Sequence, residues 1–362
     1  MAPVVRSFHG VEVDGQRVQL RVFVPGSAAA RGRGEPAAGT APAVVMVCGL
    51  LWMGGGMLGS LGLMFNDGFG YAFARRGTPC VQIHTPRRHI ARTRMMEILV
   101  ALVWPLGLFP CLRLALAVLE ALMLSMSLVE FLPLLLWPWV SPLGVFALPA
   151  MHLLIRLAQW ASGALAADHR SHQKEIAAAV SWAQRNQGLL GSDGRLVLCG
   201  YSSGGHCAAL YGITPGAPRF EAVVLISGIY GLRTHAWTGA RKLLLAPLCD
   251  MLYRDLLGAS SDADRDRLSP AFLCERMALP GKATLPAQTW YVLSAKRELM
   301  GLQPFEDILF HSQELCDALS GKGARVHNVT CGLNHWLLVL NIDEFVRPFC
   351  ESLSLGKAKG AQ

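Results

Sequence analysis

One short segment constrains the fold more than any other part of this chain. Arg195-Leu-Val-Leu-Cys-Gly-Tyr-Ser-Ser-Gly-Gly-His206 begins as an apolar run typical of a buried strand, passes through a glycine-rich turn and ends in residues that favour a helix. Only Ser202 has glycine both two residues before and two residues after it, which fits the pattern G-x-S-x-G. In that pattern a side chain at either glycine would collide with the neighbouring strand or helix. The segment predicts a sharp turn that exposes Ser202 at a helix N-terminus, and a purely structural turn is the alternative.

Strand-like and helix-like stretches alternate along most of the chain. Strands are predicted at Val18–Val24, Ala43–Cys48, Pro79–His84, Leu196–Cys199, Ala222–Ser227, Thr289–Ser294 and Arg325–Thr330. Helices are predicted through Gly70–Arg76 and Lys174–Arg185. This alternation predicts an α/β fold with a mostly parallel, doubly wound sheet.

Composition excludes several classes of function. Only 16% of the 362 residues are charged, against about 25% in an average soluble domain, and the formal net charge is +8. Because no basic stripe is interleaved with aromatic residues, the sequence predicts no nucleic-acid partner, and an anionic membrane surface suits the excess arginine better. The ten cysteines form no CxxC pair, so we predict no metal and no redox motif. Scattered thiols and the lack of a signal-peptide core favour an intracellular, reducing compartment.

An apolar insertion interrupts the alternation of strands and helices. Met95–Leu112 contains one charged residue, Glu97, and Phe131–Ile155 contains none. The second run exceeds the length of about 20 apolar residues that spans a bilayer. The sequence thus predicts two parts: an α/β domain formed by residues 1–94 and 168–362, and an apolar helical insertion, residues 95–167.

The insertion predicts contact with the lipid bilayer through residues 95–155. Strands before and after it belong to one sheet, so both of its ends lie on the same side of the membrane. Arginines flank the entry and the exit, and the positive-inside rule therefore predicts an intracellular membrane, such as the endoplasmic reticulum, with the α/β domain facing the cytosol. The alternative is an apolar cap over a lipid-binding pocket.

A nucleophilic serine needs a base that accepts its proton and an acid that orients the base. After an elbow of this kind the order along the chain is serine, acid, histidine. His335 follows the last predicted strand and is the preferred base. Four further histidines follow the serine: His206, His235, His311 and His327. His206 lies on a predicted helix and His327 within a predicted strand, positions that favour packing or hydrogen bonding.

Glu298 is the preferred acid because it follows the strand that begins at Thr289. Asp307 is the second candidate, whereas Asp343 comes after the histidine and breaks the order. The alternative for Glu298 is a surface ion pair with one of the two basic residues before it, a common and weak contact. No organic cofactor is implied.

An oxyanion hole needs backbone amides directed at the developing negative charge. The elbow supplies the amide of Ser203, and the loop after the strand that begins at Ala43 supplies a second amide, from Gly49 or Leu50. The nearby run of three glycines has no following G-K-[ST], so it predicts a mobile loop and no phosphate site.

Several segments resemble an esterase branch of the α/β-hydrolase fold that includes the isoprenylcysteine methylesterases and kynurenine formamidases. The resembling segments are Val47-Cys-Gly-Leu-Leu-Trp52, Gly200-Tyr-Ser-Ser-Gly-Gly-His206, Leu225-Ile-Ser-Gly-Ile-Tyr-Gly231, Leu268-Ser-Pro270, Leu293-Ser-Ala-Lys-Arg-Glu298 and Gly332-Leu-Asn-His335. The resemblance implies Ser202 as nucleophile, Glu298 as acid, His335 as base, and Gly49 and Leu50 as oxyanion donors. Three features depart from the branch: Leu50 replaces a second glycine, the acid is a glutamate, and the apolar insertion has no counterpart.

Together these features predict a membrane-associated serine hydrolase that cleaves a carboxylic ester of a hydrophobic, lipid-like substrate. A prenylcysteine methyl ester, an acylglycerol or a sterol ester would fit. Two alternatives stay open: a catalytically weakened hydrolase that acts as a membrane-bound interaction protein, and a lipid acyltransferase that uses the same residues.

Overall fold

The computed structural model describes residues 4–26, 41–48, 67–84, 169–239, 242, 246–277, 285–297, 311–334, 342, 346–347 and 349–350. The chain divides into two compact units, and every described residue belongs to the one formed by Met1–Pro86 and Ala166–Gln362. The predicted insertion, residues 95–167, lies outside the described residues. Its boundaries and its contact with lipid therefore stay predictions.

One sheet contains all eight strands of the described residues. Strands β1 to β8 are Val4–Val13, Gln16–Pro25, Ala43–Val47, Cys80–His84, Leu196–Tyr201, Ala222–Ile226, Thr289–Arg297 and Arg325–Asn334. Their order across the sheet is β1-β2-β4-β3-β5-β6-β7-β8. β2 is antiparallel to both β1 and β4, and every other neighbouring pair is parallel. The predicted mostly parallel sheet is confirmed.

Helices cover both faces of this sheet. Helix α1 spans residues 67–75. Helices α2 to α8 are His169–Arg185, Gln187–Leu190, Ser203–Ile213, Ala246–Leu257, Asp262–Arg267, Pro270–Arg276 and Ser312–Gly321. A 3-10 turn, Thr234–Ala236, follows β6.

Alternate side chains of β5 enter two separate hydrophobic cores. Leu196 and Leu198 pack in the core that contains α2 and α4, whereas Val197 and Cys199 pack in the core that contains α1 and Phe349. A strand that is apolar on both sides is typical of a parallel sheet covered by helices on both faces. The doubly wound architecture is therefore confirmed.

No helix within the described residues is long and apolar enough to cross a membrane.

Candidate active site

Ser202 occupies the turn between β5 and α4, in a backbone conformation that serine rarely adopts. Its φ is 56° and its ψ is −127°, and it is the residue that immediately precedes α4. A side chain at positive φ costs free energy, and such residues cluster at functional sites, where the surrounding structure holds them in place. The side chain is half-buried. The sharp turn predicted from G-x-S-x-G is therefore present, with the serine at its apex.

The two glycines of the motif are required by close backbone contacts. A Cβ added to Gly200 would lie 2.4 Å from the carbonyl oxygen of Gly204, and a Cβ added to Gly204 would lie 2.2 Å from the carbonyl oxygen of Val47. Both distances are far shorter than van der Waals contact. The collision predicted with the neighbouring strand and helix is confirmed, and the elbow packs directly against the end of β3.

Backbone hydrogen bonds fix the turn on both sides of Ser202. Its amide donates to the carbonyl oxygen of Ile226, at the end of β6, with an N–O distance of 2.8 Å. Its own carbonyl oxygen accepts from Gly205 at 2.9 Å and from His206 at 3.3 Å. The nucleophile candidate is thus bonded to the adjacent strand and to the first turn of α4.

Ser203 is the first residue of α4 and is only 2% exposed. Helix α4 spans eleven residues, all buried. Its partial positive charge at the N-terminus therefore acts in surroundings of low dielectric, where it favours an anion more strongly than it would in water.

Four of the predicted site residues lie outside the described residues: Gly49, Leu50, Glu298 and His335. Asp307, the second acid candidate, lies outside them as well. Each of the four nevertheless follows a parallel strand closely along the chain, after β3, β7 and β8. Of the predicted catalytic and oxyanion residues, the described part of the chain contains Ser202 and Ser203.

His206 is fully buried on α4, and its Nε2 lies 2.7 Å from the carbonyl oxygen of Leu268. Burial lowers the pKa of its imidazole to about 4, and nearby His172 and His169 contribute in the same direction. At neutral pH the ring is therefore uncharged, and its hydrogen bond agrees with the role predicted from its place on a helix.

The other three described histidines that follow the serine each contact residues outside the elbow. His235 lies 3.3 Å from Asp266, and His311 lies 3.4 Å from Glu314. His327 lies on β8, is exposed, and stacks on Tyr291 with ring centroids 4.7 Å apart.

The cysteines of the described residues are free thiols, most of them buried. Burial raises the pKa of Cys48 and of Cys207 to about 12, so both thiols are protonated at neutral pH. A protonated thiol is a poor nucleophile. Cys207 lies close to the elbow in the sequence, and the backbone of Cys48 lies beside Gly204 in the fold. Neither thiol therefore competes with Ser202 for a nucleophilic role.

A second strained serine lies beside the elbow and was not predicted to matter. Ser227 follows β6, has a φ of 47° and is 1% exposed, and its hydroxyl has no hydrogen-bond partner within the described part of the chain. Its amide donates to the carbonyl oxygen of Leu293 at 2.7 Å. The sequence offered one signal, the Ser-Gly-x-Tyr turn that resembles the esterase branch, but backbone strain cannot be read from that pattern.

Comparison of the structure with solved structures identifies the fold that combines this strand order with the elbow. An esterase from the archaeon Pyrobaculum calidifontis aligns over 98% of this chain and 87% of its own, with a TM-score of 0.54 and 17% identity. The fold is that of the α/β-hydrolases. A fungal esterase from Rhizomucor miehei aligns over 99% of this chain and 85% of its own, with a TM-score of 0.54 and 13% identity. Esterase B from Lactobacillus rhamnosis aligns over 99% and 88%, with a TM-score of 0.53 and 14% identity.

No protein-family profile and no curated protein matches the sequence.

Proposed function

We propose that this chain is a serine hydrolase that cleaves carboxylic esters, with Ser202 as the nucleophile. The strained backbone of Ser202, at the apex of an elbow that requires glycine at 200 and 204, is the observation that carries the proposal. Holding a serine at positive φ is unfavourable, and the surrounding contacts maintain it in a conformation that presents the hydroxyl beyond the sheet. The solved structures with the same fold named above are esterases, which supports the same reaction class.

The base and the acid are His335 and Glu298. Arg297 of β7 and Asn334 of β8 are register partners in the sheet, and Glu298 and His335 are the next residue after each. The two strands therefore end at the same level of the sheet, in neighbouring positions. This placement supports the proposal that the carboxylate of Glu298 and the imidazole of His335 act as a pair. In the proposed reaction Glu298 orients His335 and stabilises its charged form.

Backbone amides complete the proposed site. The carbonyl carbon of Cys48 lies 2.8 Å from the position of a Cβ on Gly204, and the amide nitrogen of Gly49 is bonded to that carbon. This contact brings the chain entering the predicted oxyanion loop close to the start of α4. It supports a hole formed by the amide of Ser203 with that of Gly49 or Leu50.

The reaction proceeds in two acyl-transfer steps. His335 takes the proton of Ser202 as the hydroxyl oxygen attacks the ester carbonyl, and the amides stabilise the oxyanion. Collapse of the tetrahedral intermediate breaks the bond to the alcohol, which leaves with the proton from His335. His335 then deprotonates a water molecule, which attacks the carbonyl of the acyl-enzyme. As the bond from the carbonyl carbon to the Ser202 oxygen breaks, His335 returns the proton to that oxygen and the carboxylic acid is released.

The substrate class follows from the apolar insertion and the branch resemblance. We infer that the substrate is a hydrophobic, lipid-like ester from an intracellular membrane, with the α/β domain facing the cytosol and residues 95–155 in contact with the bilayer. The isoprenylcysteine methylesterase and kynurenine formamidase branch makes a prenylcysteine methyl ester one candidate, and acylglycerols and sterol esters are the others.

Hydrolysis assays on the 362-residue chain in detergent micelles test this proposal. We expect turnover of p-nitrophenyl esters, higher kcat/KM for long acyl chains than for acetate, and covalent labelling by a fluorophosphonate. Product analysis with an added alcohol separates hydrolysis from acyl transfer. Absence of both turnover and labelling would favour the alternative that the chain is a catalytically weakened hydrolase acting as a membrane-bound interaction protein.

Two matched variants identify the acid. We expect Glu298→Gln to lower kcat at least about tenfold more than Asp307→Asn does, because only the group that holds His335 stabilises its charge in the transition state. Steady-state kinetics on one aryl ester measure this difference. A larger loss in Asp307→Asn would transfer the acid role to Asp307.

The membrane contact has its own test. Replacing Met95–Ile155 by a short Gly/Ser linker is expected to abolish co-sedimentation with anionic phospholipid vesicles, because the apolar run supplies the burial that holds the chain in lipid. Phe8→Ser removes an apolar side chain that is 51% exposed outside the insertion, and serves as the control. If the linker variant still co-sediments with vesicles, the insertion is not the anchor.

A further inference from the structure

The buried imidazole of His206 connects the elbow helix to the segment between β6 and β7. Its exposed fraction is 0%, and burying an imidazole costs free energy unless its polar atoms are bonded. Nε2 bonds the carbonyl oxygen of Leu268, which can only accept, so Nε2 carries the proton. Leu268 is the C-cap residue that immediately follows α6, where carbonyls lack donors from within the helix. His206 therefore supplies the hydrogen-bond donor for the Leu268 carbonyl that α6 itself cannot supply.

The residue after Leu268 holds the turn that follows β6. We call residues 227–232 the β6 turn. The hydroxyl of Ser269, which is completely buried, accepts from the amide of Leu232 at 2.8 Å and donates to the carbonyl oxygen of Arg265 at 2.7 Å. The His206 bond and the Ser269 bonds thus act on consecutive residues of one junction.

Two further bonds hold the other half of the β6 turn. The amide of Ala271 donates to the carbonyl oxygen of Tyr230 at 3.2 Å, and the amide of Gly228 donates to the hydroxyl of Tyr230 at 3.0 Å. The Cα of Gly228 also lies 3.0 Å from the position of a Cβ on Gly205, the residue before His206. The contacts form a closed circuit from α4 to the β6 turn, on to the α6–α7 junction, and back to α4.

This circuit borders the nucleophile directly. The β6 turn begins at strained Ser227, and the residue before it, Ile226, accepts the hydrogen bond from the amide of Ser202. A displacement of the turn would therefore reach Ser202 through a single hydrogen bond. Misplacement of reacting groups by about 1 Å can lower a rate about a hundredfold.

We propose that His206 is a positioning residue for the reaction at Ser202, and that its bond to Leu268 fixes the β6 turn beside the nucleophile. This inference rests on the proposed esterase function. His206 does not touch substrate; it acts through the α6–α7 junction. Its role requires a donor at the place of Nε2, which glutamine can supply and which leucine cannot.

The charged and titratable side chains near His206 come from α2. His169 and His172 both disfavour a charged imidazole, and Glu175, on the same helix, is buried near Cys207. The adjacent strands β3, β5 and β6 contribute no Lys, Arg, Asp or Glu. Glu275 and Arg276 of α7 are exposed. The neutral donor form of His206 is therefore the one that the packing favours.

Three substitutions test the inference in the 362-residue chain. His206→Leu removes the donor, His206→Asn places a donor too close to the helix, and His206→Gln retains one near Nε2. We expect kcat on a short aryl ester to fall about tenfold or more in the Leu and Asn variants, with KM changed less than about threefold, and to return to within about threefold of wild type in the Gln variant. His327→Gln, on exposed β8, is the control.

Hydrogen exchange separates the inference from the proposed function. The amides of Leu232 and Ala271 are expected to exchange faster in the Leu and Asn variants than in the Gln variant, whether or not the chain hydrolyses esters. Wild-type kcat and wild-type protection in the Asn variant, or loss of both in the Gln variant, would overturn the inference. Unchanged turnover with lost protection would leave the bond as structural only and equally overturn a positioning role. If wild type neither turns over esters nor reacts with a fluorophosphonate, the esterase proposal fails, and with it any positioning role at Ser202.

Discussion

Ser202→Ala is expected to abolish ester hydrolysis, with kcat lower by about 10⁵-fold or more. Removing the nucleophile of a serine hydrolase leaves only the rate enhancement from substrate binding and the oxyanion hole. The variant should also lose all labelling by a fluorophosphonate, since Ser202 alone in the sequence has glycine both two residues before and two residues after it. Turnover of an aryl ester and mass spectrometry of the labelled peptide measure the two effects.

The neighbouring serine of the elbow provides a comparison for the labelling of Ser202. Ser202 and Ser203 are adjacent, but only Ser202 has the positive φ of the elbow, and Ser203 is already part of α4 and 2% exposed. The modified residue in wild type should therefore be Ser202. Ser320→Ala, on the exposed face of α8, controls for the loss of a serine hydroxyl. Equal labelling of wild type and Ser202→Ala would remove Ser202 from the mechanism.

The elbow could be predicted because the spacing of its glycines is a sequence pattern. Gly200 is required by its contact with the nearby Gly204, and Gly204 by its contact with Val47 of the distant strand β3, but the pattern G-x-S-x-G marks both positions. The central strands could be predicted for a similar reason. β3, β5 and β6 are buried at every position, which produces unbroken apolar runs.

The edges of the sheet were less visible in the sequence. β1 was not predicted, because its residues before Val11 are exposed or half-buried and form no apolar pattern. β7 and β8 extend past their predicted ends, to Arg297 and Asn334, where they pair with each other. Pairing between strands far apart in sequence adds residues that no local pattern marks.

The candidate site likewise contains features that a sequence pattern marks and features that only the fold creates. Ser202 could be predicted because the glycines two residues before it and two residues after it mark it in the sequence. The strain at Ser227 and the bond from His206 to Leu268 could not, because both depend on chain segments brought together only by the fold. A histidine within an apolar helix indicates a buried hydrogen bond, but the sequence does not name the acceptor.

Lowering the pH from 7.5 to 4.5 is expected to destabilise the protein through His206 by about 2–3 kcal/mol. The folded imidazole has a pKa of about 4 because burial disfavours its charged form, whereas the unfolded side chain has a pKa of about 6.5. Above the unfolded pKa both states are neutral, and the contribution to stability is complete. As the pH falls between the two values, only the unfolded state binds a proton, so unfolding becomes easier by about 1.4 kcal/mol for each pH unit.

Comparing the pH dependence of the unfolding free energy between wild type and His206→Gln isolates the contribution of His206. His206→Gln keeps a donor for the Leu268 carbonyl but cannot be protonated, so its free energy of unfolding should fall less over the same pH range than that of wild type. His327→Gln removes an exposed histidine and should retain the full wild-type dependence. Urea unfolding at half-unit pH intervals measures the three curves. Parallel curves for wild type and His206→Gln would contradict a buried, neutral His206, because a histidine accessible to protons in the folded state gives no such difference.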